Sequence, residues 1–157
     1  MTRRYAADTS VSVAKTRADL EVLLDRYGAE SVMLGRSTTE AIVGWMMRER
    51  KIIIRMKLPD PQAEEFKRTP SRNKVRTREA AHAAWEQACR SRWRALHLAI
   101  KAKLEAVEVG ITTFEEEFLA HIVMPDGRPV GEHVLPGVSL AYRDGKVTPL
   151  LEPPDSR

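Results

Sequence analysis

A long helix between Thr77 and Val109 is the feature that most constrains the fold of this chain. Apolar residues recur there every three or four positions, the period that places side chains on one face of an α-helix. Gly110 follows, and glycine is common just beyond a helix end. The stripe of large apolar residues comprises Trp85, Cys89, Trp93, Leu96, Ile100, Leu104 and Val107. This pattern predicts a spine against which the rest of the chain packs.

The remaining circumference of the spine divides into two stripes, with two exceptions. Small residues suited to close approach by another backbone form one stripe: Ala88, Ser91, Ala95, Ala99, Ala102 and Ala106. We expect the other stripe to face outward: Arg90, Arg94, His97 and Lys101. Arg92 and Lys103 project between the apolar and small stripes. We expect these two inward-facing basic residues to snorkel, to pair with a carboxylate or to face a groove.

A helix and a three-stranded sheet are predicted before the spine. Helical spacing extends from about 13 to 27, with Ser12 as the N-cap and Gly28 after the last turn. The segments SVMLG, TEAIVGWMM and KIIIRMKL then favour strands, separated by the turns RSTT and RER. The last strand alternates, which predicts a core face of Ile52, Ile54, Met56 and Leu58 and a wet face of Lys51, Ile53, Arg55 and Lys57.

The register of the second hairpin decides where Trp45 lies. If Arg48, Glu49 and Arg50 form a three-residue loop, Trp45 lies on the basic face beside Ile53 and Arg55. A loop one residue longer places it in the core, because strand side chains alternate with a period of two. An exposed tryptophan among arginines would be a platform for stacking bases. The sequence leaves both positions open.

The segments on either side of the spine are shorter. Residues 59–76, PDPQAEEFKRTPSRNKVR, contain three prolines and no regular period, which predicts a long loop with a basic second half. Thr113 and Glu116 have capping-box spacing, which predicts a short helix with Phe114, Phe118 and Ile122 turned inward. PDGR is typical of a turn. Residues 131–145 predict a last helix, with Pro136 near its first turn and Gly145 after its end.

Together these elements predict a single α+β domain over residues 1–152, in the order α-β-β-β-α-α-α, with a flexible tail at 153–157. A small antiparallel β-sheet would pack against the spine, a long C-terminal-half helix, and against the N-terminal helix. The length of 157 residues suits one hydrophobic core. Neither a membrane-spanning apolar run nor a secretory signal is recognisable. Cys89 is the only cysteine, which excludes an internal disulfide. We therefore expect a cytoplasmic protein.

Positive charge is concentrated in one part of the sequence. Residues 67–103 hold eleven Lys or Arg and two acidic residues, a local balance of +9, whereas the rest of the chain has a balance of −5. A local positive field attracts polyanions, although such a run can also be a solvated face that keeps a protein soluble. Solubilising faces usually mix both signs, whereas this segment has only two acidic residues, Glu79 and Glu86.

The basic residues therefore predict a surface for DNA or RNA with low sequence specificity, because affinity for phosphates comes from displacing counterions at several positions. The predicted nucleic-acid-binding residues are Lys67, Arg68, Arg72, Lys74, Arg76 and Arg78 on the loop and helix start, Arg90, Arg94 and Lys101 on the spine, and Arg55 and Lys57 on the sheet.

Catalytic chemistry has little support in the sequence. Glycine motifs for nucleotides and a nucleophile elbow are absent, so we predict no cofactor and no catalytic residue. Glu117 and His121 lie four residues apart, a spacing that can hold a divalent ion on one helix face. The surrounding candidates are Glu115, Glu116, Asp126 and His133. An acidic run also stabilises a helix N-terminus, so we predict no metal site.

Two stretches carry a family resemblance: WEQACRSRWRALHLAIKAKLEAVEVGITTFEEEFLAHIVMPDGRPVGEHV and RYAADTSVSV. They resemble a group of short uncharacterised proteins encoded by tailed bacteriophages and prophages. The resemblance implies a bacterial cytoplasmic setting and an accessory role in phage growth or lysogeny, and it carries over no catalytic residues.

Three functions follow as hypotheses. The first is a non-enzymatic phage accessory protein that binds nucleic acid through the basic loop and helix. The second is a protein-binding module that inhibits or redirects a host factor, such as a defence or nucleic-acid-processing enzyme. The third is a metal-dependent enzyme built on Glu117 and His121.

Overall fold

Residues 8–151 are described by the computed structural model, so the predicted tail at 153–157 lies outside them. The helices are α1 (Val13–Arg26), α2 (Glu64–Lys67), α3 (Arg78–Glu108), α4 (Phe114–Phe118) and α5 (Val130–Asp144). The strands are β1 (Ser31–Arg36), β2 (Glu40–Met47) and β3 (Arg50–Lys57), and Leu119–His121 form a 3-10 turn after α4. The predicted α+β class is confirmed, and α2 is an element that the sequence did not predict.

Helix α1 begins and ends where its capping residues predict. The Ser12 hydroxyl accepts a hydrogen bond from the Lys15 amide at 3.1 Å, which satisfies one of the unpaired donors of the first turn. Gly28, just beyond the last turn, has a φ of +91°, a conformation that glycine adopts without steric cost. The helix buries Leu20, Leu23 and Leu24.

The three strands form an antiparallel sheet in the order β1-β2-β3. Only Arg48 and Glu49 connect β2 to β3, with φ of +51° and +61°, and Trp45 pairs with Ile52. Neither of the two loop lengths that the sequence left open, three or four residues, is observed, because the loop has two residues. Loops of two and of four residues differ by an even number, so they place the alternating side chains on the same faces. Trp45 therefore lies in the core, 2% exposed, as the longer loop predicts. Its ring meets Phe118 edge-on at 5.4 Å.

The two faces of the sheet differ as β3 predicts. The inner face joins α1, α3 and α4 in one hydrophobic core, to which the sheet contributes Ala41, Val43, Trp45, Met47 and Ile52. The outer face carries the exposed side chains of Lys51, Arg55 and Lys57. At the β3 edge the Val123 amide donates to the Lys51 carbonyl at 2.8 Å, so part of this edge is paired.

Helix α3 confirms the predicted spine. Thr77 caps its start, accepting from the Ala80 amide at 3.2 Å, and Gly110 has a φ of +76° beyond its end. Cys89, Trp93, Ile100 and Leu104 of the large apolar stripe are buried. The small-residue stripe is not covered as predicted: Ala95, Ala99 and Ala102 are exposed. Helix α1 packs against a different face of α3, the one that carries His97.

The C-terminal elements close one end of the core. Thr113 and Glu116 form the predicted capping box, and Phe114 and Phe118 are buried with their rings 5.0 Å apart. Helix α5 then packs closely on the 3-10 turn. A Cβ at Gly131 would lie 2.9 Å from the Ala120 carbonyl oxygen, so only glycine fits that contact.

Pro136 lies in the second turn of α5 and not near its first turn, because α5 already begins at Val130. Proline has no amide hydrogen, so the carbonyl of Glu132 loses its helical donor. The Arg128 guanidinium lies 3.5 Å from that carbonyl and donates to it instead.

The strained hairpin turn gives a first testable prediction. Glu49→Gly should raise the free energy of unfolding by about 0.5–1 kcal/mol, because a left-handed L-residue costs roughly 1–2 kcal/mol and glycine loses part of that gain in chain entropy. Urea unfolding followed by circular dichroism measures the difference. Glu49→Ala is the control, since it removes the carboxylate but keeps the Cβ. Equal stabilisation by both variants would show that the backbone conformation is not the cause.

Candidate nucleic-acid interface

A short hairpin between α2 and α3, here called the basic knuckle (residues 67–78), presents the densest group of exposed cations. Arg68 and Val75 form an antiparallel bridge. Within it the Thr69 amide donates to the Lys74 carbonyl at 2.8 Å, and the Lys74 amide donates to the Thr69 hydroxyl at 3.0 Å. The predicted long loop is thus only partly right, because its basic half is internally paired.

Two contacts hold the basic knuckle against the body of the protein. Phe66 of α2 is buried, 6% exposed, and α2 packs on α3. The Arg76 guanidinium donates to the carbonyls of Glu65 at 3.1 Å and Phe66 at 3.2 Å. Arg76 therefore ties the knuckle to α2. The prediction that Arg76 contacts nucleic acid is wrong, because its guanidinium is directed into the fold.

The other cations of the knuckle differ in their availability. Lys67 pairs with Glu64 at 3.0 Å, and Arg68 donates to the Asn73 carbonyl at 3.2 Å. Arg72, Lys74 and Arg78 are exposed and make no ion pair within residues 8–151. These three side chains are the part of the knuckle that is open to a ligand.

The outer face of β3 adds a second group of cations. The side chains of Lys51, Arg55 and Lys57 are exposed and likewise lack ion pairs in the described part of the chain. Arg92, predicted to face inward, is exposed, and its guanidinium donates to the Lys57 carbonyl at 3.1 Å. This contact joins the end of β3 to α3.

The basic stripe of α3 is predicted to face outward, and this prediction is wrong for most of its residues because the stripe faces α1. Arg94 lies 3.6 Å from the Asp19 carboxylate of α1, and His97 is buried, 8% exposed. Arg90 donates twice to the Gln87 side chain, at 3.0 and 2.6 Å. Lys101 remains exposed at the edge of this interface. Helical spacing shows which residues share a face of the helix, but it does not show which neighbouring element covers that face. Here the covering element is α1.

Lys103 and Glu117 form an ion pair with each other. The Lys103 ammonium lies 2.8 Å from the Glu117 carboxylate and 3.0 Å from the Glu117 carbonyl oxygen, so the predicted inward cation pairs with an acid. Helix α4 ends at Phe118, so Glu117 and His121 do not share one continuous helical face. His133 instead lies 2.9 Å from Asp126. Residues 8–151 contain no group of three or more His, Cys, Asp or Glu that could hold a metal ion.

One cavity was not anticipated from the sequence. It lies between the start of α1, the β1–β2 turn and α3, and Arg36 and Thr38 of the segment read only as the turn RSTT line it. Three distant segments meet there, so no local pattern could have located it.

Comparisons with known proteins give no relative for this chain: no family model, curated protein or solved structure matches it. Within residues 8–151, no helix is both long enough and apolar enough to span a membrane.

The role of Arg76 can be tested by hydrogen exchange. Arg76→Met should increase exchange at the Thr69 amide and lower the free energy of unfolding by about 1–2 kcal/mol, because two carbonyl oxygens lose a charged donor. Arg72→Met is the matched control, since Arg72 makes no such contact, and it should leave both quantities unchanged. Identical exchange in the two variants would rule out the tie.

The buried histidine of α3 predicts a pH-dependent stability. Burial lowers the pKa of His97 below its ordinary 6.5, and the charges of Arg94 and Lys101 lower it further while Asp19 opposes them. The unfolded chain therefore binds this proton more readily than the native one. The stabilisation is complete above about pH 6.5 and is lost as the pH falls toward the lower native pKa.

Thermal unfolding between pH 7 and pH 5 measures this effect. His97→Gln should reduce the fall in melting temperature, and His82→Gln, at an exposed histidine, should not. In His97→Gln the dependence of the melting temperature on pH should weaken but not disappear, because burial and Lys103 also lower the pKa of His121. An unchanged slope in His97→Gln would contradict the assignment.

Proposed function

We propose that this protein is a non-enzymatic accessory protein that binds nucleic acid through the basic knuckle and the outer face of β3, without strong sequence preference. The observation that carries the proposal is the exposure of Arg72 and Lys74 on a hydrogen-bonded hairpin and of Arg78 at the adjoining start of α3, none of them in an ion pair within the described residues. Unpaired cations keep their full attraction for phosphate, because no neighbouring carboxylate has to be displaced first.

The order of the knuckle supports the same function. A hairpin held by the Thr69–Lys74 pairing and by Arg76 presents its cations at fixed positions. Phosphate groups recur along a nucleic-acid backbone, so contacts from a fixed set of cations position the protein without reading the bases. Low sequence preference follows from that kind of contact.

The proposed binding set is smaller than the basic residues of the sequence. Arg76 and Arg94 are directed into the fold by the Glu65 carbonyl and by Asp19, and Arg90 is held by Gln87. We therefore place the binding surface on Arg72, Lys74 and Arg78, flanked by Lys67 and Arg68, with Arg55 and Lys57 as its extension. In a phage or prophage setting, such a surface would serve DNA or RNA handling in the bacterial cytoplasm.

Fluorescence anisotropy with labelled DNA and RNA oligonucleotides tests the proposal. Affinity should fall linearly on a logarithmic plot against salt concentration. The triple variant Arg72→Ala, Lys74→Ala, Arg78→Ala should reduce the magnitude of that slope by about 2 to 3, because each lost phosphate contact removes roughly 0.7–0.9. The loss should be similar for all sequences tested.

A variant of equal charge separates this surface from the overall charge of the protein. Arg26→Ala, Arg143→Ala and Lys146→Ala together remove three exposed cations elsewhere and should leave the slope unchanged. Equal effects of the two triple variants, or no binding of the wild type at low salt, would overturn the proposal.

A second candidate function, a protein-binding module that redirects a host factor, is favoured by α5. Its outward side chains include Leu135, 61% exposed, and Tyr142, 89% exposed, and apolar groups this exposed suit a protein partner. Two results together would establish this alternative in place of the first. The wild type would not bind nucleic acid at low salt, and the Leu135→Asp and Tyr142→Asp variants would no longer bind a purified partner protein that the wild type binds.

A further inference from the structure

A cavity of about 600 Å³ opens between the start of α1, the β1–β2 turn and the N-terminal half of α3. Small-molecule sites commonly occupy about 300–1,000 Å³, so this volume suits a ligand of modest size. The binding surface proposed above does not use it. By side-chain chemistry its lining falls into an apolar half and a cationic half, and the two cations are Arg36 and Arg90, of which Arg90 is held by Gln87.

The apolar half is built around Trp85 of α3. The indole N–H of Trp85 donates to the Pro59 carbonyl at 2.8 Å, which fixes the plane of the ring. Leu58 and Cys89 complete this side, and burial raises the pKa of the Cys89 thiol, which keeps that wall uncharged. A rigid aromatic wall beside apolar groups is a surface against which a planar ring can stack.

The cationic half is built around Arg36 at the end of β1. Arg36 is exposed, makes no ion pair within residues 8–151, and lines the same cavity as Cys89. The N-cap Ser12 and the first residue of α1, Val13, also line the cavity, and the first turn of α1 contains no acidic residue. Amide groups at a helix start add positive potential to that of the guanidinium.

One acidic group also borders the cavity. Glu86 lies on the lining, and its carboxylate is 3.9 Å from His82. A carboxylate there repels a phosphate but accepts hydrogen bonds from amino groups of the kind that nucleobases carry. The anionic end of a ligand is therefore directed toward Arg36 and away from Glu86.

Helix α3 connects the cavity to the basic knuckle. Arg78, His82, Trp85 and Cys89 are spaced three or four residues apart and so share one face of the helix. With a rise of 1.5 Å per residue, Arg78 lies about 10 Å along the axis from Trp85. A strand held at the knuckle can therefore present a neighbouring nucleotide to the cavity.

We propose that this cavity binds one nucleotide unit of a single strand, with its base against Trp85 and its phosphate between Arg36 and the first turn of α1. This inference rests on the proposed nucleic-acid function and adds to it a preference for single strands. A base inside a duplex is stacked and paired, and it would have to be extruded at a cost before it could enter.

The test uses AMP as the probe on the full-length protein. Binding should change the tryptophan fluorescence, because Trp85 and Trp93 both line the cavity. Arg36→Ala should weaken AMP binding by about tenfold or more, because a charged hydrogen bond to phosphate is lost. Cys89→Met should also weaken it by filling the apolar half. Arg26→Ala, an exposed arginine at the far end of α1, is the matched control and should have no effect.

Oligonucleotides separate this inference from the function on which it rests. A single strand should bind more tightly than a duplex of equal length at the same salt concentration, and Arg36→Ala should remove that preference while leaving the salt dependence due to the knuckle. Equal binding of both forms, or AMP binding that Arg36→Ala does not change, overturns the cavity proposal and leaves the knuckle function intact. AMP binding that needs Arg36, without any oligonucleotide binding, would instead overturn the knuckle function and leave a site for a free nucleotide.

Discussion

The two-residue turn at Arg48 and Glu49 fixes the parity of the β2–β3 hairpin, and both faces of the sheet follow from it. With this turn Trp45 enters the core and meets Phe118, while Lys51 and Arg55 point outward. A loop with one residue more would exchange the two faces of one strand relative to the other, because side chains alternate along a strand. Burial of one large ring is thus linked to the exposure of the cations on the adjacent strand.

Local patterns explain why some of this fold could be predicted from the sequence. The bounds of α1 and α3 follow from Ser12, Thr77 and the glycines beyond their ends, and the capping box of α4 depends on two residues three positions apart. The hairpin register could not be predicted, since Arg48 and Glu49 are not residues that favour a positive φ. Helix α2 spans four residues, too few to show a period.

The candidate site was only partly predictable, because the sequence shows how many charges there are but not which groups each charge contacts in the fold. Arg76, Arg94 and Lys103 each meet an oxygen from another segment: a carbonyl of α2, Asp19 and Glu117. Those partners lie 11, 75 and 14 residues away along the chain, distances that no local pattern spans. Arg72 and Lys74 differ from these three because their neighbours in sequence are Pro, Ser, Asn and Val, which offer no competing charge.

The internal pairing of the basic knuckle also determines the thermodynamics of any contact that it makes. Its backbone is held by the Thr69–Lys74 hydrogen bonds and by Arg76 before a partner arrives, so little conformational entropy remains to be lost on association. A segment that folds on binding buries much new apolar surface and shows a large negative change in heat capacity. For this hairpin that change would be small, and the enthalpy of association would vary little with temperature.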